Sequence, residues 1–152
     1  MIIAVDGPAA SGKGTIAAAL GQHFNLPHLD TGLLYRAVGL AVKAHIDAPN
    51  IEALATKAAE DLDSSAIEPE YLLGAEVGIL ASKVAVYPGV RKALFAFQRD
   101  FATQASGAVL DGRDIGTAIA PEADAKLFII ADSHVRGDRR FGRALRAGGP
   151  GG

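Results

Sequence analysis

Ile2-Ile3-Ala4-Val5-Asp6-Gly7-Pro8-Ala9-Ala10-Ser11-Gly12-Lys13-Gly14-Thr15 is the stretch that decides the fold. Its first part is a short, continuous apolar run rich in β-branched residues, the pattern of a strand buried on both faces. Asp6-Gly7-Pro8 ends that run, and from Gly14 the apolar residues Ile16, Leu20 and Phe24 recur every four positions, as on an amphipathic helix. Between strand and helix, residues 7–13 fit the spacing G-x-x-x-x-G-K. Glycines at those places let the backbone wrap with its N–H groups inward, and the helix N-terminus adds partial positive charge, so the loop is built to cradle phosphates. Lys13 is expected to reach the outer phosphates of a bound nucleotide. Gly7, Pro8, Ala9, Ala10, Ser11, Gly12, Lys13, Gly14 and Thr15 are therefore the expected nucleotide-binding residues.

The rest of the chain extends an α/β alternation. A very short strand is expected at His28-Leu29, then a helix with Leu34, Val38 and Val42 on one stripe, and a further helix over residues 51–62. Val77, Leu80 and Val84 stand at helical spacing, Pro88 breaks the pattern, and Val90, Leu94, Phe97 and Phe101 mark another helix. Two more buried strands are expected at residues 108–110 and 126–131, each ending at or near an aspartate, Asp111 and Asp132. Helical segments between such strands imply a mainly parallel sheet, here of four strands. An Arg-rich helical stretch follows from residue 133 to residue 146, and a Pro/Gly tail closes the sequence.

Composition narrows the classes available. The chain has 152 residues, 49% of them hydrophobic, enough for one ordinary core. Net charge is −2, so there is no general footprint for nucleic acid or an anionic membrane, and phosphate binding must be local. The absence of cysteine excludes disulfide scaffolds and thiolate metal sites, and fits a reducing cytoplasm. The apolar start is too short for a leader or a membrane span. His23, His28, His45 and His134 show no metal-ligand spacing.

Two carboxylates end apolar runs. Asp111 has the form expected of a strand-end group that orients Mg²⁺ beside a phosphate loop, with Asp6 as an alternative that could instead hydrogen-bond the loop. The hydroxyl after Lys13 comes one residue late, at Thr15, because Gly14 occupies the usual Ser/Thr position. Asp30-Thr31-Gly32 opens a helix that Asp30 or Thr31 could cap, with Tyr35-Arg36 one turn in. The same triplet occurs in aspartic proteases, but their all-β scaffold conflicts with this pattern. Arg136-Gly137-Asp138 resembles an adhesion motif and carries almost no information in a helix. No Asn-Lys-x-Asp segment for guanine is present, which sets a GTPase aside.

Four blocks together, residues 7–15, Leu29-Asp30-Thr31-Gly32-Leu33-Leu34-Tyr35-Arg36, Ser82-Lys83-Val84-Ala85 with Pro88-Gly89-Val90-Arg91, and Leu110-Asp111-Gly112-Arg113-Asp114-Ile115-Gly116-Thr117, resemble the cytidylate kinase family in order and spacing. The likeness runs from Met1 to about Arg146. It implies an α/β, three-layer P-loop nucleoside monophosphate kinase fold with a mainly parallel sheet, the chain expected to stop short of that fold's last strand and helix. It implies one kinase domain over residues 1–147, with a core of 1–31 and 104–132, an acceptor-binding helical part at about 32–103, the start of a lid helix at 133–147, and a flexible tail at 148–152.

The resemblance also implies chemistry: transfer of a phosphoryl group from ATP, with Mg²⁺, to CMP or dCMP in the cytoplasm. The chain is expected to act as a monomer, with no nucleic-acid or membrane partner. Arg36 and Arg113 correspond to the family's acceptor-phosphate arginines, and Arg suits a dianion because its planar, always-charged fork is fixed. Ser82, Arg91 and Asp114 correspond to the residues that read cytosine, and Thr31 joins the CMP-binding set. A carboxylate at Asp114 accepts from the exocyclic amine of cytosine, whereas uracil presents a carbonyl there. Thr15 and Asp111 are the implied Mg²⁺ residues, directly or through water. Lys13 and Arg113, with Arg136 and Arg140 one helical turn apart in the lid, form the implied catalytic set. Attack by an already ionised phosphate oxygen needs no general base. The rival readings are another nucleotide or small-molecule P-loop kinase, or a nucleotide-binding fragment without turnover.

Overall fold

The computed structural model describes residues 1–63 and 67–130. Along the chain run β1 (Ile2–Asp6), α1 (Lys13–Phe24), β2 (His28–Asp30), α2 (Gly32–Ala41), a short 3₁₀ turn (Lys43–His45), α3 (Ile51–Glu60), α4 (Pro69–Leu72), α5 (Ala75–Val84), α6 (Pro88–Ala102), β3 (Ala108–Gly112), a single π-helical turn (Ile115–Ile119) and β4 (Ala125–Phe128). The order β2-β3-β1-β4 forms one sheet in which every pairing is parallel. The α/β architecture with a parallel sheet expected from the sequence is thus the observed one.

The chain divides into two compact units, Met1–Asp30 together with the described residues from Phe101 onward, and Thr31–Asp100. In the first unit, Ile3, Val5 and Val109 on one sheet face pack against Ala17 of α1, with Leu20, Leu26 and Leu127 around them. The register pairs Val5 with Asp111 and Asp6 with Gly112, and successive side chains on a strand point to opposite faces. Asp111 therefore lies on the face covered by α1, and Asp6 on the other.

In the second unit the periodicities seen in the sequence become burial. Leu34, Val38, Val77, Leu80 and Val84 are buried, and Val42 is buried just past the end of α2. At Gly39 a Cβ would come within 2.8 Å of the Leu80 backbone, so its absence lets α2 and α5 approach closely. Leu33, Ala37 and Leu72 form a smaller cluster with Leu62 and Ile67.

Two expectations require correction. The α6 stripe is Val90, Leu94, Gln98 and Ala102, while Phe97 and Phe101 are only half-buried. Gln98 can sit inside because its Nε2–H donates to the Leu94 carbonyl at 3.0 Å, so its amide is not left without a partner. The last strand, expected to be buried over residues 126–131, spans Ala125–Phe128 and is not buried. It is an outer strand of the described sheet, and Phe128 is 66% exposed. Residues 131 and beyond lie outside the described part.

Candidate functional site

Three residues shape the phosphate loop. Gly12 precedes α1 at φ +91°, a left-handed conformation that favours glycine, and Ala10 is held at φ +61°. A Cβ on Gly7 would stand 2.7 Å from the Ile129 carbonyl, so β1 can turn into the loop here only without a side chain. The first intrahelical bond of α1 runs from the Ile16 N–H to the Gly12 carbonyl at 3.2 Å. The amides of Lys13, Gly14 and Thr15 precede it and, with the helix dipole, form an anion-binding end. Lys13 folds back with its Nζ 3.4 Å from the Pro8 carbonyl, so its charge lies over the loop.

Asp111, at the end of β3, is only 2% exposed, and its Oδ1 accepts from His28 Nε2 at 2.5 Å. His28 pairs with Val109 in the parallel register, so its ring and Asp111 share the α1 face, two residues apart along the strand. Oδ2 of Asp111 faces the first turn of α1, 3.8 Å from where a Gly14 Cβ would be. Gly14, in place of the more usual hydroxyl residue, keeps that side chain-free. Thr15 is exposed in the same turn.

Asp6 acts as a hydrogen-bond acceptor, for a turn that lies next to the phosphate loop. Its Oδ1 accepts from the Ile115 N–H and its Oδ2 from the Gly116 N–H, both at 2.8 Å. The residue just before those amides is Asp114, at φ +61°, and Arg113 precedes it. Arg113 and Asp114 are exposed and line one cavity of about 440 Å³ with Asp6, Gly7, Pro8, Phe128 and Ile130. Its size suits a small-molecule ligand.

In the second unit, Arg36 of α2 is half-buried, and its Nη1 donates to the carbonyls of Leu72 at 2.7 Å and Gly74 at 3.1 Å. Its Nη2 would be 3.1 Å from a Cβ on Gly78, so the guanidinium lies across α5 where that helix lacks a side chain. Ser82 donates its hydroxyl to the Gly78 carbonyl at 3.2 Å, the ordinary back-bond of a helical serine, and keeps acceptor capacity. Arg91 donates to the Ala85 carbonyl at 2.9 Å. Its charge is felt at Tyr35, where burial pushes the phenol above its ordinary value of 10.0 and the Arg91 guanidinium opposes that rise. Arg36 and Ser82 thus meet around Gly78, and Arg91 lies within electrostatic reach of Tyr35. Of the two residues expected to cap α2, Asp30 or Thr31, Thr31 stands at the N-cap without a side-chain capping bond, and its carbonyl accepts from the Leu34 N–H.

Arg136 and Arg140 lie outside the described residues. Among the described residues, no cluster of three or more His, Cys, Asp or Glu side chains is arranged to hold a metal ion, and no helix is long and apolar enough to cross a membrane. His28 and Gly78 are positions that the sequence alone did not assign to the site, and Asp6, weighed there as an alternative to Asp111 or as a bond to the phosphate loop, instead holds the turn at Ile115 and Gly116. Each is defined by a partner far along the chain or by an empty space, neither of which a local pattern displays.

A parallel sheet whose first strand runs through a Gly-Lys-Gly-Thr phosphate loop into a helix, with a strand-end carboxylate beside that helix, defines a P-loop nucleotide kinase of the nucleoside monophosphate type. The family model for cytidylate kinase matches residues 3–149. The chain is 54% identical to a cytidylate kinase of Xanthobacter autotrophicus, covering 97% of this chain and 71% of that one. It is 52% identical to one of Bradyrhizobium sp., covering 99% and 71%, and 51% identical to one of Brucella suis biovar 1, covering 97% and 67%. The chain belongs to the cytidylate kinase family.

Proposed function

We propose that this chain transfers the γ-phosphoryl group of ATP to CMP, and to dCMP, giving CDP or dCDP and ADP. The observation that carries the reading is the shared cavity: Arg113 and Asp114, the acceptor-side residues of the family pattern, line it together with Gly7 and Pro8 of the phosphate loop. The relatives named above are cytidylate kinases, which supports the same acceptor.

In this reading residues 7–15 hold the ATP phosphates through loop amides, and Lys13 places its ammonium over them. Arg36 and Arg113 bind the acceptor phosphate, and Ser82, Arg91 and Asp114 read cytosine, with Thr31 as a further member of the acceptor set. The attacking atom is an oxygen of an already ionised phosphate, so positioning and charge neutralisation suffice and no proton-transfer residue is needed. Mg²⁺ accompanies ATP, and its oxygen-ligand preference suits Asp111 and Thr15, directly or through water. Bound there, it would neutralise phosphate charge. Asp114 favours cytosine because uracil would set a carbonyl against its carboxylate. The cytoplasm and a monomeric state complete the proposal.

The test is Mg²⁺-ATP-dependent ADP release with CMP, dCMP, UMP and AMP as acceptors, alongside CMP and ATP binding by calorimetry. Turnover with CMP and dCMP well above UMP is expected. Turnover with AMP but not CMP would refute the base-reading assignment, and binding of both nucleotides without ADP release would refute turnover by this chain.

A further inference from the structure

We infer that Asp6, a residue of the phosphate-loop strand, is a positioning residue for acceptor-base selection, because its carboxylate holds the turn that presents Arg113 and Asp114. The inference rests on the acceptor reading of those two residues given above.

The geometry isolates one joint. β1 and β3 pair up to Asp6 and Gly112, and the Gly7 N–H then donates to the Gly112 carbonyl at 3.3 Å. Beyond that point the two chains separate, one into the phosphate loop and the other into Arg113, Asp114 and the π-helical turn. Asp6 spans the gap. Its side chain is on the sheet face away from α1, it is only 9% exposed, and each carboxylate oxygen takes one backbone N–H, from Ile115 and Gly116. These two amides open the turn and have no i−5 or i−4 carbonyl within it, so a carboxylate acts on them as a cap acts on a helix start.

What the cap fixes is a conformation a non-glycine residue does not hold readily. Asp114 sits at φ +61°, ψ +24°, a left-handed geometry that a non-glycine residue keeps when its surroundings enforce it. Those two angles set the direction of its Cα–Cβ bond, and so the base from which its carboxylate reaches the cavity. The turn packs closely against the carboxylate: a Cβ on Gly116 would be 3.4 Å from Asp6 Oδ2 and 3.2 Å from Lys126 Cδ. Asp6 lines the same cavity, but both of its carboxylate oxygens are taken by the turn, so it acts through Arg113 and Asp114. It sets where Asp114 and Arg113 stand relative to the loop that begins at the next residue, Gly7.

Asp6→Asn tests this, because it retains the shape but turns an amide N–H₂ toward one of the two backbone donors. Gly116→Ala is the second, milder variant, since it keeps the carboxylate and places a methyl group in contact with it, 3.4 Å from Oδ2. Both are measured in the full chain for steady-state kinetics with CMP and UMP, for CMP and UMP binding by calorimetry, for the Ile115 and Gly116 amide proton resonances, and for thermal unfolding. Asp6→Asn is expected to lower kcat/KM for CMP on the order of 10- to 100-fold while UMP falls much less, with the KM for ATP changed by about threefold or less. The Ile115 and Gly116 amide protons should move upfield as their carboxylate partner is lost, and Gly116→Ala should shift selectivity the same way by a smaller factor. A residue that only supported the fold would reduce CMP and UMP turnover alike, through a smaller active fraction. An unchanged CMP/UMP ratio in both variants, in calorimetry as in kinetics, overturns the inference while leaving the acceptor reading intact. Failure of the wild-type chain to bind CMP in preference to UMP overturns the acceptor reading, and this inference with it.

Discussion

Replacing His28 by Phe keeps a ring of similar size on β2 and removes the donor that meets Asp111. In the native chain Nε2 is 2.5 Å from Oδ1, and the two side chains are 25% and 3% exposed. The carboxylate lies beneath α1 on a fully buried strand, so water replaces the lost donor only in part. Removing one hydrogen-bond partner of a buried carboxylate costs roughly 1–3 kcal/mol. The assay is urea unfolding followed by circular dichroism at fixed pH, comparing wild type, His28→Phe, Asp111→Asn and the double variant. His28→Phe should lose about 1–3 kcal/mol when Asp111 is intact and less than about 0.5 kcal/mol when it is introduced into Asp111→Asn, with the urea slope unchanged. Equal losses in both backgrounds would mean that ring packing, rather than the hydrogen bond, holds His28 in place, and the idea that this pair fixes the Asp111 carboxylate would fall.

Gly39→Ala should destabilise the chain by about 1–3 kcal/mol, because the new methyl group meets backbone and Cβ atoms of Leu80 at 2.8–2.9 Å, and neither helix can yield cheaply there. A loss below about 0.5 kcal/mol in chemical denaturation would show that α2 and α5 separate more easily than the packing suggests. Tyr35, raised above the ordinary 10.0 by burial, should contribute a late component to an ultraviolet absorbance titration, and Tyr35→Phe should delete that component. Because the neutral phenol is the form favoured by the fold, its contribution to stability is complete below pH 10.0 and is lost as pH rises from there through the raised value. Stability of Tyr35→Phe should accordingly fall less steeply than wild type above that pH.

Local pattern was sufficient wherever the folded state reuses a local rule. Four-residue spacing marked Leu34, Val38, Leu80 and Val84 as one-sided helix positions, and all four are buried. The strand, loop and helix around residues 2–24 followed from an apolar run, two glycines and a lysine, since each of those residues states its own backbone preference. Three things were not legible. The Asp6 and His28 contacts join residues 109, 110 and 83 positions apart, and they exist only because β1, β2 and β3 pair in one register. Spacing along the chain contains no register. β4 reads as a buried strand because Leu127, Phe128, Ile129 and Ile130 are consecutive and apolar, but its place in the described sheet order leaves it with one strand neighbour. Hydrophobicity reports what a segment would bury, not whether another segment covers it.

The same distinction bears on the arginines. Arg36 and Arg91 could be named from their motifs, yet the motif does not say how a long, flexible side chain becomes a fixed binding group. In the structure each is already tied at Nη1 to backbone carbonyls, Arg36 to Leu72 and Gly74, Arg91 to Ala85. A guanidinium has five N–H donors, so holding one nitrogen still leaves the others for a phosphate or a base. Immobilising such a side chain at the moment of binding would otherwise consume about 0.5–1.5 kcal/mol, and here the fold has met that cost beforehand. Leu72 ends α4, the short helix that no periodicity marked, and Gly74 caps the start of α5, so the least legible element of this unit supplies one of the two carbonyls that aim its most legible arginine. A substitution that unwinds α4 should then weaken CMP binding in calorimetry without altering any residue of the motif, and unchanged affinity would show that Arg36 needs no such anchoring.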